Sequence, residues 1–421
     1  MKAAASVAFI LALIIFLSGC FGLPSPTITP TPMPAASQTP LASPVPTAAP
    51  TAAPTPSPTP TPSSPACPAN LSGVLTYPIM RLDELAGLTP LGNLNPPQHT
   101  FPVDHIYFAS YPKNGSDQRV AVYAPGEITI TGITEISARD DSGNLLKRTY
   151  ATDYVVCPGV VIAVAGYNSL VPGLLNSLVN TNASCKEAFK HNTYETQCSY
   201  AVKYLMRAGE QIGWVRNEDF DDNIEIWAMD HNAEPRADVD FGWYGSPTFA
   251  WAFCFFDLYN GSLKEGYDAK FSRYDKHTDT FIPRTVEPVC GQIVQDVPGT
   301  VQGDWFYGPK ENGQDYTNNL ALVHDNLDPG IAVVSVGGIV SKDGKMMFFP
   351  RHAGFINREF SEIMADGGTY CFQDEDRLSG GYLIPGKFIA RLMDDHTLQI
   401  EHQDGDCSGT EEFLNPFTYH R

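Results

Sequence analysis

Positively charged residues are scarce in this chain relative to negatively charged ones. Its 421 residues contain 27 Lys and Arg against 47 Asp and Glu, which gives a formal net charge of −20 at pH 7. Nearly all of this charge lies beyond residue 66. An acidic surface repels phosphate backbones and anionic headgroups. The composition therefore argues against a protein that binds nucleic acid or anionic lipid, and it favours cationic partners or simply solubility.

Several familiar site motifs are also missing. The chain has no G-x-S-x-G elbow, no P-loop and no G-x-G-x-x-G. It has no C-x-x-C pair, which argues against a zinc ribbon or a thioredoxin-like site. The acidic run at residues 218–222 lacks the glycine and terminal glutamate of an EF-hand, so we interpret it as a solvated loop. Residues 324–329 (HDNLDP) have the composition of an ordinary turn.

The N-terminus contains a secretion signal. Met1-Lys2 is positive, and residues 3–17 are uncharged and mostly apolar, which suits a signal peptide and is short for a bilayer span. The sequence Leu17-Ser-Gly-Cys20 that follows resembles the lipobox of prokaryotic lipoproteins. That resemblance implies a cleaved signal peptide at residues 1–19 and a lipid anchor at Cys20. An uncleaved anchor helix and a plain signal peptide remain open; all three place the rest of the chain outside the cytoplasm.

A Pro/Thr/Ser/Ala tract follows the anchor. Residues 24–66 contain no charged residue and no long apolar run, so they cannot bury a core. Prolines hold such chains near polyproline II, with a reach on the order of 130 Å when fully extended. We predict that residues 20–66 form a lipid-anchored stalk that lifts the remaining chain off the membrane.

Eight cysteines lie beyond the stalk. An even number in an exported chain indicates disulfide bonds. Spacing alone cannot choose among the pairings that eight cysteines allow. Proximity along the chain favours two pairs and leaves two others: Cys185–Cys198, Cys371–Cys407, Cys254–Cys290 and Cys67–Cys157.

Strand patterns dominate residues 67–421. Alternating or β-branched runs, broken by Gly and Pro, occur at 120–125, 128–133, 154–165, 331–336, 346–349, 382–384, 388–392 and 397–401. Two short helices are predicted, one at 171–179 and one at 184–189, where Ser184 and Glu187 have the spacing of a capping box. We predict a mainly β chain, and a Gly/Pro break suggests two domains, 67–295 and 296–421.

Four segments of the first predicted domain resemble a known family when taken in order: residues 98–105 (QHTFPVDH), 120–129 (VAVYAPGEIT), 207–213 (RAGEQIG) and 223–230 (NIEIWAMD). They are similar to the duplicated hybrid motif domain of lysostaphin-type zinc endopeptidases. In that family an early His and Asp bind zinc, and a final His-x-His supplies a ligand and a catalytic histidine. The resemblance implies a hydrolase-like β-domain at 67–295, followed by a second β-rich domain.

This chain departs from the family at the residues that carry the chemistry. One extra residue separates His99 from Asp104, which reverses the facing of a strand side chain unless a bulge or a turn at Pro102 absorbs it. Without such a turn, His105 is expected to point away from His99. Asn223 and Glu225 stand where His-x-His belongs, and Asn cannot act as a general base. The resemblance leaves His99, Asp104 and Glu225 as ligands for a divalent metal. It supplies no catalytic residue, and no other cofactor is expected.

Three functions follow from these patterns. The first is a lipoprotein on the cell surface whose non-catalytic, hydrolase-like domain binds an envelope polymer, a protein partner or another extracellular component. The second is a metal-dependent, peptidase-like hydrolase with altered ligands. The third is a structural or assembly protein of the cell envelope. The missing His-x-His favours a non-enzyme over the hydrolase, whereas the sequence does not rank binding against a structural role.

Overall fold

The computed structural model describes residues 67–110, 119–190, 193–216, 224–235, 248–275, 278, 280–308, 316–375 and 383–421. All of them belong to one compact unit, Pro65–Arg421. The signal peptide, the Cys20 anchor, the stalk, the acidic run at 218–222 and Asn223 lie outside the described residues, so what we predict of them stays a prediction. None of the helices in the described ranges combines the length and the apolar character needed to cross a bilayer.

Strands make up most of the regular structure. Those of the first half are β1 (Leu85–Thr89), β2 (His105–Ser110), β3 (Arg119–Tyr123), β4 (Ile128–Arg139), β5 (Leu145–Cys157), β6 (Val160–Tyr167), β7 (Ser169–Leu170), β8 (Ala183–Lys190), β9 (Thr193–Met206), β10 (Gln211–Arg216), β11 (Ile224–Asp230), β12 (Ser272–Asp275) and β13 (Thr280–Pro283). Those of the second half are β14 (Gly303–Tyr307), β15 (Asn319–His324), β16 (Ala332–Val336), β17 (Gly344–Phe348), β18 (Tyr370–Gln373), β19 (Lys387–Asp394), β20 (Thr397–Gln403) and β21 (Phe417–His420). Strands account for 48% and helices for 9% of the structure, which confirms the mainly β prediction.

The helices are short. They are α1 (Pro172–Leu178), α2 (Thr248–Trp251) and α3 (Gly261–Asp268), with 3-10 turns at Phe255–Leu258, Tyr316–Asn318 and Phe360–Glu362. Helix α1 confirms the helix expected at 171–179 and begins with a proline, which suits a first turn.

The helix predicted at 184–189 is wrong. Strand β8 occupies that segment and pairs with β9, with Cys185 directly opposite Cys198. The disulfide between these two cysteines joins Cα atoms 4.0 Å apart. Cross-strand pairing therefore overrides a capping-box pattern that is worth only about 1 kcal/mol.

The first large sheet has eight strands in the order β1-β2-β11-β6-β5-β4-β9-β8, and all neighbouring strands are antiparallel. A small sheet, β3-β10-β7, packs on one face of it. Alternate residues such as Ile106 and Phe108 of β2, and Ile224 and Ile226 of β11, enter the core between the two sheets. The residues between them therefore point to the opposite face.

The second large sheet also has eight strands, in the order β17-β16-β15-β14-β21-β20-β19-β18. Its two end strands approach each other, because the Met347 N–H donates to Asp374 Oδ1 (3.3 Å) and the Glu375 N–H donates to the Met347 carbonyl (3.1 Å). The sheet thus curls into an almost closed barrel. Its interior holds a separate apolar cluster in which Phe348 stacks on Phe372, with ring centroids 5.5 Å apart.

The loop between β1 and β2 connects the two large sheets. Leu94 and Phe101 from this loop join an apolar cluster on the outer face of the barrel, and the Phe101 ring lies 4.9 Å from that of Phe306. Lys345 Nζ donates to the Leu94 carbonyl oxygen (3.1 Å). The predicted break near residue 295 falls between β13 and β14, where the chain passes from one sheet to the other. Because both sheets belong to one compact unit, the division into two domains stays a prediction.

Four disulfide bonds hold this unit together. They are the expected pairs, Cys67–Cys157, Cys185–Cys198, Cys254–Cys290 and Cys371–Cys407. All four expected pairs are confirmed. The Cys185–Cys198 bond joins two paired strands, whereas Cys254 and Cys290 both lie outside the strands.

Candidate functional site

The candidate metal ligands lie on the face of the first sheet that points away from its core. His99 is in the loop before β2, Asp104 directly precedes β2, and Glu225 is in β11. Strand β11 pairs with β2 so that Glu225 is opposite Tyr107. The topology therefore brings these three residues into one region, although they are far apart in the sequence.

A chain of hydrogen bonds joins two of the three candidates. Asp104 Oδ1 accepts from Trp227 Nε1 (3.1 Å) and lies 3.1 Å from His105 Nδ1. His105 Nε2 is 2.7 Å from the Tyr107 hydroxyl, which is 3.0 Å from His99 Nε2. One set of tautomers satisfies every link: His105 Nδ1–H donates to Asp104, Tyr107 donates to His105, and His99 donates to Tyr107. We call Asp104, His105, Tyr107, His99 and Trp227 the polar network.

The expectation that His105 points away from His99 is wrong. The two rings lie edge to face with centroids 5.4 Å apart. Strand β2 begins only at His105, so residues 99–104 do not follow the alternation of a strand, and the extra residue does not reverse the facing. The backbones of Asn95 and His99 exchange hydrogen bonds of 2.8 and 3.2 Å, which closes the loop and returns His99 to the sheet.

Burial governs the charges in this region. Together with a smaller contribution from the nearby His105, it lowers the pKa of His99 to about 3, while Asp104 acts in the opposite direction. His99 is therefore neutral at neutral pH. Burial raises the pKa of Glu225, an effect that His105 and Lys147 partly offset. Burial also raises the pKa of Asp153 on β5.

The three candidate ligands do not converge as a metal site would require. Among the described residues, the only group of three His, Cys, Asp or Glu donor atoms within 4.8 Å of one another is Cys371, Cys407 and Glu411. The two cysteines of that group are joined as a disulfide, so they offer no thiolate. Zinc sites use three or four protein ligands around one point. Metal binding by His99, Asp104 and Glu225 stays a prediction, because the described donor atoms of these residues do not converge on one point.

Sequence reasoning missed Tyr107 and Trp227, and it gave His105 no role in the site. His105 and Tyr107 alternate with buried apolar residues along β2, and Trp227 does so along β11. Polar or aromatic residues at i and i+2 in otherwise apolar strands were the available signal. The pairing of β2 with β11, which sets Trp227 opposite His105, has no local signature.

Two other regions have some features of a site. The 324–329 segment forms the expected turn, in which Asp325 Oδ1 accepts from the backbone N–H groups of Leu327 and Asp328 (both 2.9 Å). A cleft of about 770 Å³ beside the Cys254–Cys290 disulfide is lined by both apolar and charged groups. Its one cationic lining residue, Lys264, is already paired with Asp268 (2.9 Å).

No known family model, no curated protein and no solved structure matches this chain. The resemblance to lysostaphin-type domains therefore rests on the four sequence segments described above. The function is argued from the chemistry of the residues.

Proposed function

We propose that this chain is a lipid-anchored, extracytoplasmic binding protein whose hydrolase-like β-domain is non-catalytic and holds an envelope or extracellular component. The observation that carries the proposal is the polar network. The groups that a hydrolase would aim at a substrate bond to one another and to Trp227 instead.

The chemistry of the two histidines supports this proposal. A general base needs a free lone pair aimed at the substrate and a pKa near the working pH. Both ring nitrogens of His105 are within hydrogen-bond distance of protein partners, and the residue is 6% exposed. His99 has a pKa of about 3, which makes it a weak base. Such a buried network suits a rigid support for a recognition surface better than proton transfer.

The disulfides and the N-terminus support the location. Four disulfides persist in an oxidising compartment and not in a reducing cytosol. The lipobox-like sequence before Cys20 would fix the chain to the membrane by lipid. The β-rich part of the chain could then bind envelope components at any distance from the membrane that the stalk can span.

Membrane fractionation of cells that express the full chain tests the anchor. Cys20→Ser should move the protein from the membrane fraction to the soluble extracytoplasmic fraction, whereas Ser25→Ala in the stalk should leave it on the membrane. Retention of Cys20→Ser on the membrane with an intact N-terminus would establish the uncleaved anchor helix instead.

Co-sedimentation of the full chain, in detergent micelles, with insoluble envelope material tests the binding function. Saturable binding that soluble envelope fragments compete away is the expected result. If the protein neither binds nor processes this material, the binding proposal fails and the structural or assembly role takes its place.

A further inference from the structure

Buried carboxylates in this protein generally have donors from the protein itself. Glu359 accepts from His324 (3.2 Å), Glu401 accepts from the backbone N–H groups of Leu414 and Asn415 (2.8 and 3.0 Å), and Asp104 accepts from Trp227 (3.1 Å). This follows the general rule that enclosed polar groups are satisfied, since an unsatisfied one costs roughly 1–3 kcal/mol.

Two carboxylates depart from that rule. Within the described part of the chain, the side chains of Glu225 and Asp153 make no hydrogen bond and no ion pair. Lys147 acts on Glu225 through its charge and not through an ion pair. Each side chain is only partly exposed, so it has lost much of its hydration without gaining a donor.

Both carboxylates lie on the face of the first sheet that carries the polar network. Directly paired residues of neighbouring strands share a face. The register gives two adjacent cross-strand rows, Asp153–Ala163–Trp227–His105 and Ala151–Ala165–Glu225–Tyr107. Asp153 and Glu225 are thus two strands and two residues apart, about 12 Å between Cα atoms.

The residues around these carboxylates leave them as two accessible acceptors. Ala163 and Ala165 are buried, and their methyl groups carry no donor. Gly132, opposite Asp153, lets the carboxylate lie close to β4, since a Cβ at that position would be 2.6 Å from Asp153 Oδ2. Solvent reaches part of Glu225 and of Asp153, so a ligand can contact both without entering the core.

The ligand group that best matches two partly desolvated carboxylates is a donor that carries positive charge. A primary ammonium group offers three N–H donors, forms charge-assisted bonds to carboxylates, and is attracted to aromatic rings such as those of Tyr107 and Trp227. A divalent metal fits less well, because no three donor atoms of described His, Cys, Asp or Glu residues converge here.

We propose that this face binds a ligand that carries a primary ammonium group, with Glu225 as the acceptor of that group and Asp153 as the acceptor of a second donor on the same ligand. The inference rests on the proposed binding function and names the chemistry of its ligand. Lysine side chains and amino sugars both present such a group.

Calorimetric titration of the full chain in detergent micelles tests the proposal. The probes are Nα-acetyl-lysine methylamide and glucosamine, each with its N-acetylated, uncharged counterpart as the matched neutral compound. At least one charged probe should bind at least tenfold more tightly than its neutral counterpart, and the tighter of the two identifies the peptide or the sugar source. Affinity should fall at least tenfold in Glu225→Gln and by a smaller factor in Asp153→Asn.

Glu187→Gln on the exposed strand β8 is the matched control and should bind as the unaltered chain does. Equal binding of charged and neutral compounds, or unchanged affinity in Glu225→Gln, would overturn the proposal. Binding of CaCl2 or ZnCl2 that disappears in Glu225→Gln, with no binding of the ammonium probes, would overturn it in favour of a metal. If Glu225→Gln still binds envelope material as the unaltered chain does, the ammonium site is wrong and the proposed binding function stands. If the probes bind and the envelope material does not, the proposed function is wrong.

Discussion

The two eight-stranded sheets solve the same problem of burial in different ways. The second sheet curls until its end strands meet, and it fills its interior with aromatic residues such as Trp305 and Phe348. The first sheet stays open. It buries one face against the small sheet and places titratable groups on the other. The barrel thus uses its interior for stability, whereas the open sheet keeps a face on which polar groups can be exposed to a ligand.

The polar face of the first sheet is costly to the fold in a way that the barrel interior is not. In the barrel core, Trp305 donates its N–H to the Val301 carbonyl oxygen (2.9 Å) and packs under Arg421, 4.4 Å from its ring centroid. On the polar face, burial partly desolvates Glu225 and Asp153, and no described residue donates a hydrogen bond to either side chain. Groups that destabilise a fold and still occur together are common at binding sites.

The largest effect is expected in the barrel. Trp305 is fully buried, so Trp305→Ala removes packing and leaves a cavity, which should lower the free energy of unfolding by about 3–5 kcal/mol. Urea denaturation measures this loss. Trp227→Phe on the polar face removes mainly one hydrogen bond and should cost less, about 1–3 kcal/mol. A larger loss for Trp227→Phe would contradict the division of roles between the sheets.

The next effect is a pH dependence that comes from His99. Its folded pKa, about 3, lies below the ordinary value of 6.5, so the unfolded chain binds a proton that the folded chain does not. Protonation of His99 therefore leaves the free energy of unfolding unchanged well above pH 6.5 and lowers it as the pH falls from there towards 3. The loss at pH 5 should be on the order of 2 kcal/mol. Thermal melting between pH 7 and pH 5 measures it.

The control for that measurement is a histidine outside the network. His99→Gln should flatten the pH dependence, whereas His420→Gln, at an exposed position, should leave it unchanged. Equal slopes in the unaltered chain and in His99→Gln would show that His99 is not held neutral by its surroundings.

A smaller effect is expected when one link of the polar network is cut. Tyr107→Phe leaves His105 Nε2 and His99 Nε2 without their shared partner, which should cost about 1–2 kcal/mol in chemical denaturation. Tyr194→Phe, at a residue that is 54% exposed, should change stability by less than about 0.5 kcal/mol. If the two variants are equally stable, the hydrogen bonds of Tyr107 do not stabilise the fold.

The smallest effect comes from Glu225, and its pH dependence has the opposite sign to that of His99. Because burial raises the folded pKa of Glu225 above its unfolded value, the protein loses stability as the pH rises through that interval. Glu225→Gln removes the enclosed charge and should melt at the same temperature as the unaltered chain or slightly higher at pH 7. A clear drop in Tm would mean that the carboxylate has a stabilising partner in the fold.

Local patterns predicted the strands of this fold better than they predicted which strands pair with each other. The alternation at 128–133 and the β-branched run at 331–336 became β4 and β16, since strand patterning depends on neighbours two residues away. The helix expected at 184–189 failed because its decisive contact, Cys185 with Cys198, lies across a hairpin.

The candidate site was harder to predict for the same reason. Asp104 and Trp227 are 123 residues apart in the sequence, and no local pattern shows that they share a hydrogen bond. The resemblance to zinc endopeptidases pointed to His99, Asp104 and Glu225, which do lie in one region. It could not show that Asp104 and His99 are engaged through His105 and Tyr107, since these bonds depend on where the loop after β1 returns to the sheet.

The most direct test of the central claim, that the polar face binds and does not catalyse, is an assay of turnover. Purified full-length protein, supplied with zinc, is incubated with cross-linked peptides and with envelope material, and the released fragments are measured. The account predicts no release above background, with the protein remaining bound to the envelope material. Zinc-dependent release of fragments that disappears in His99→Ala would contradict it and establish the metal-dependent hydrolase instead.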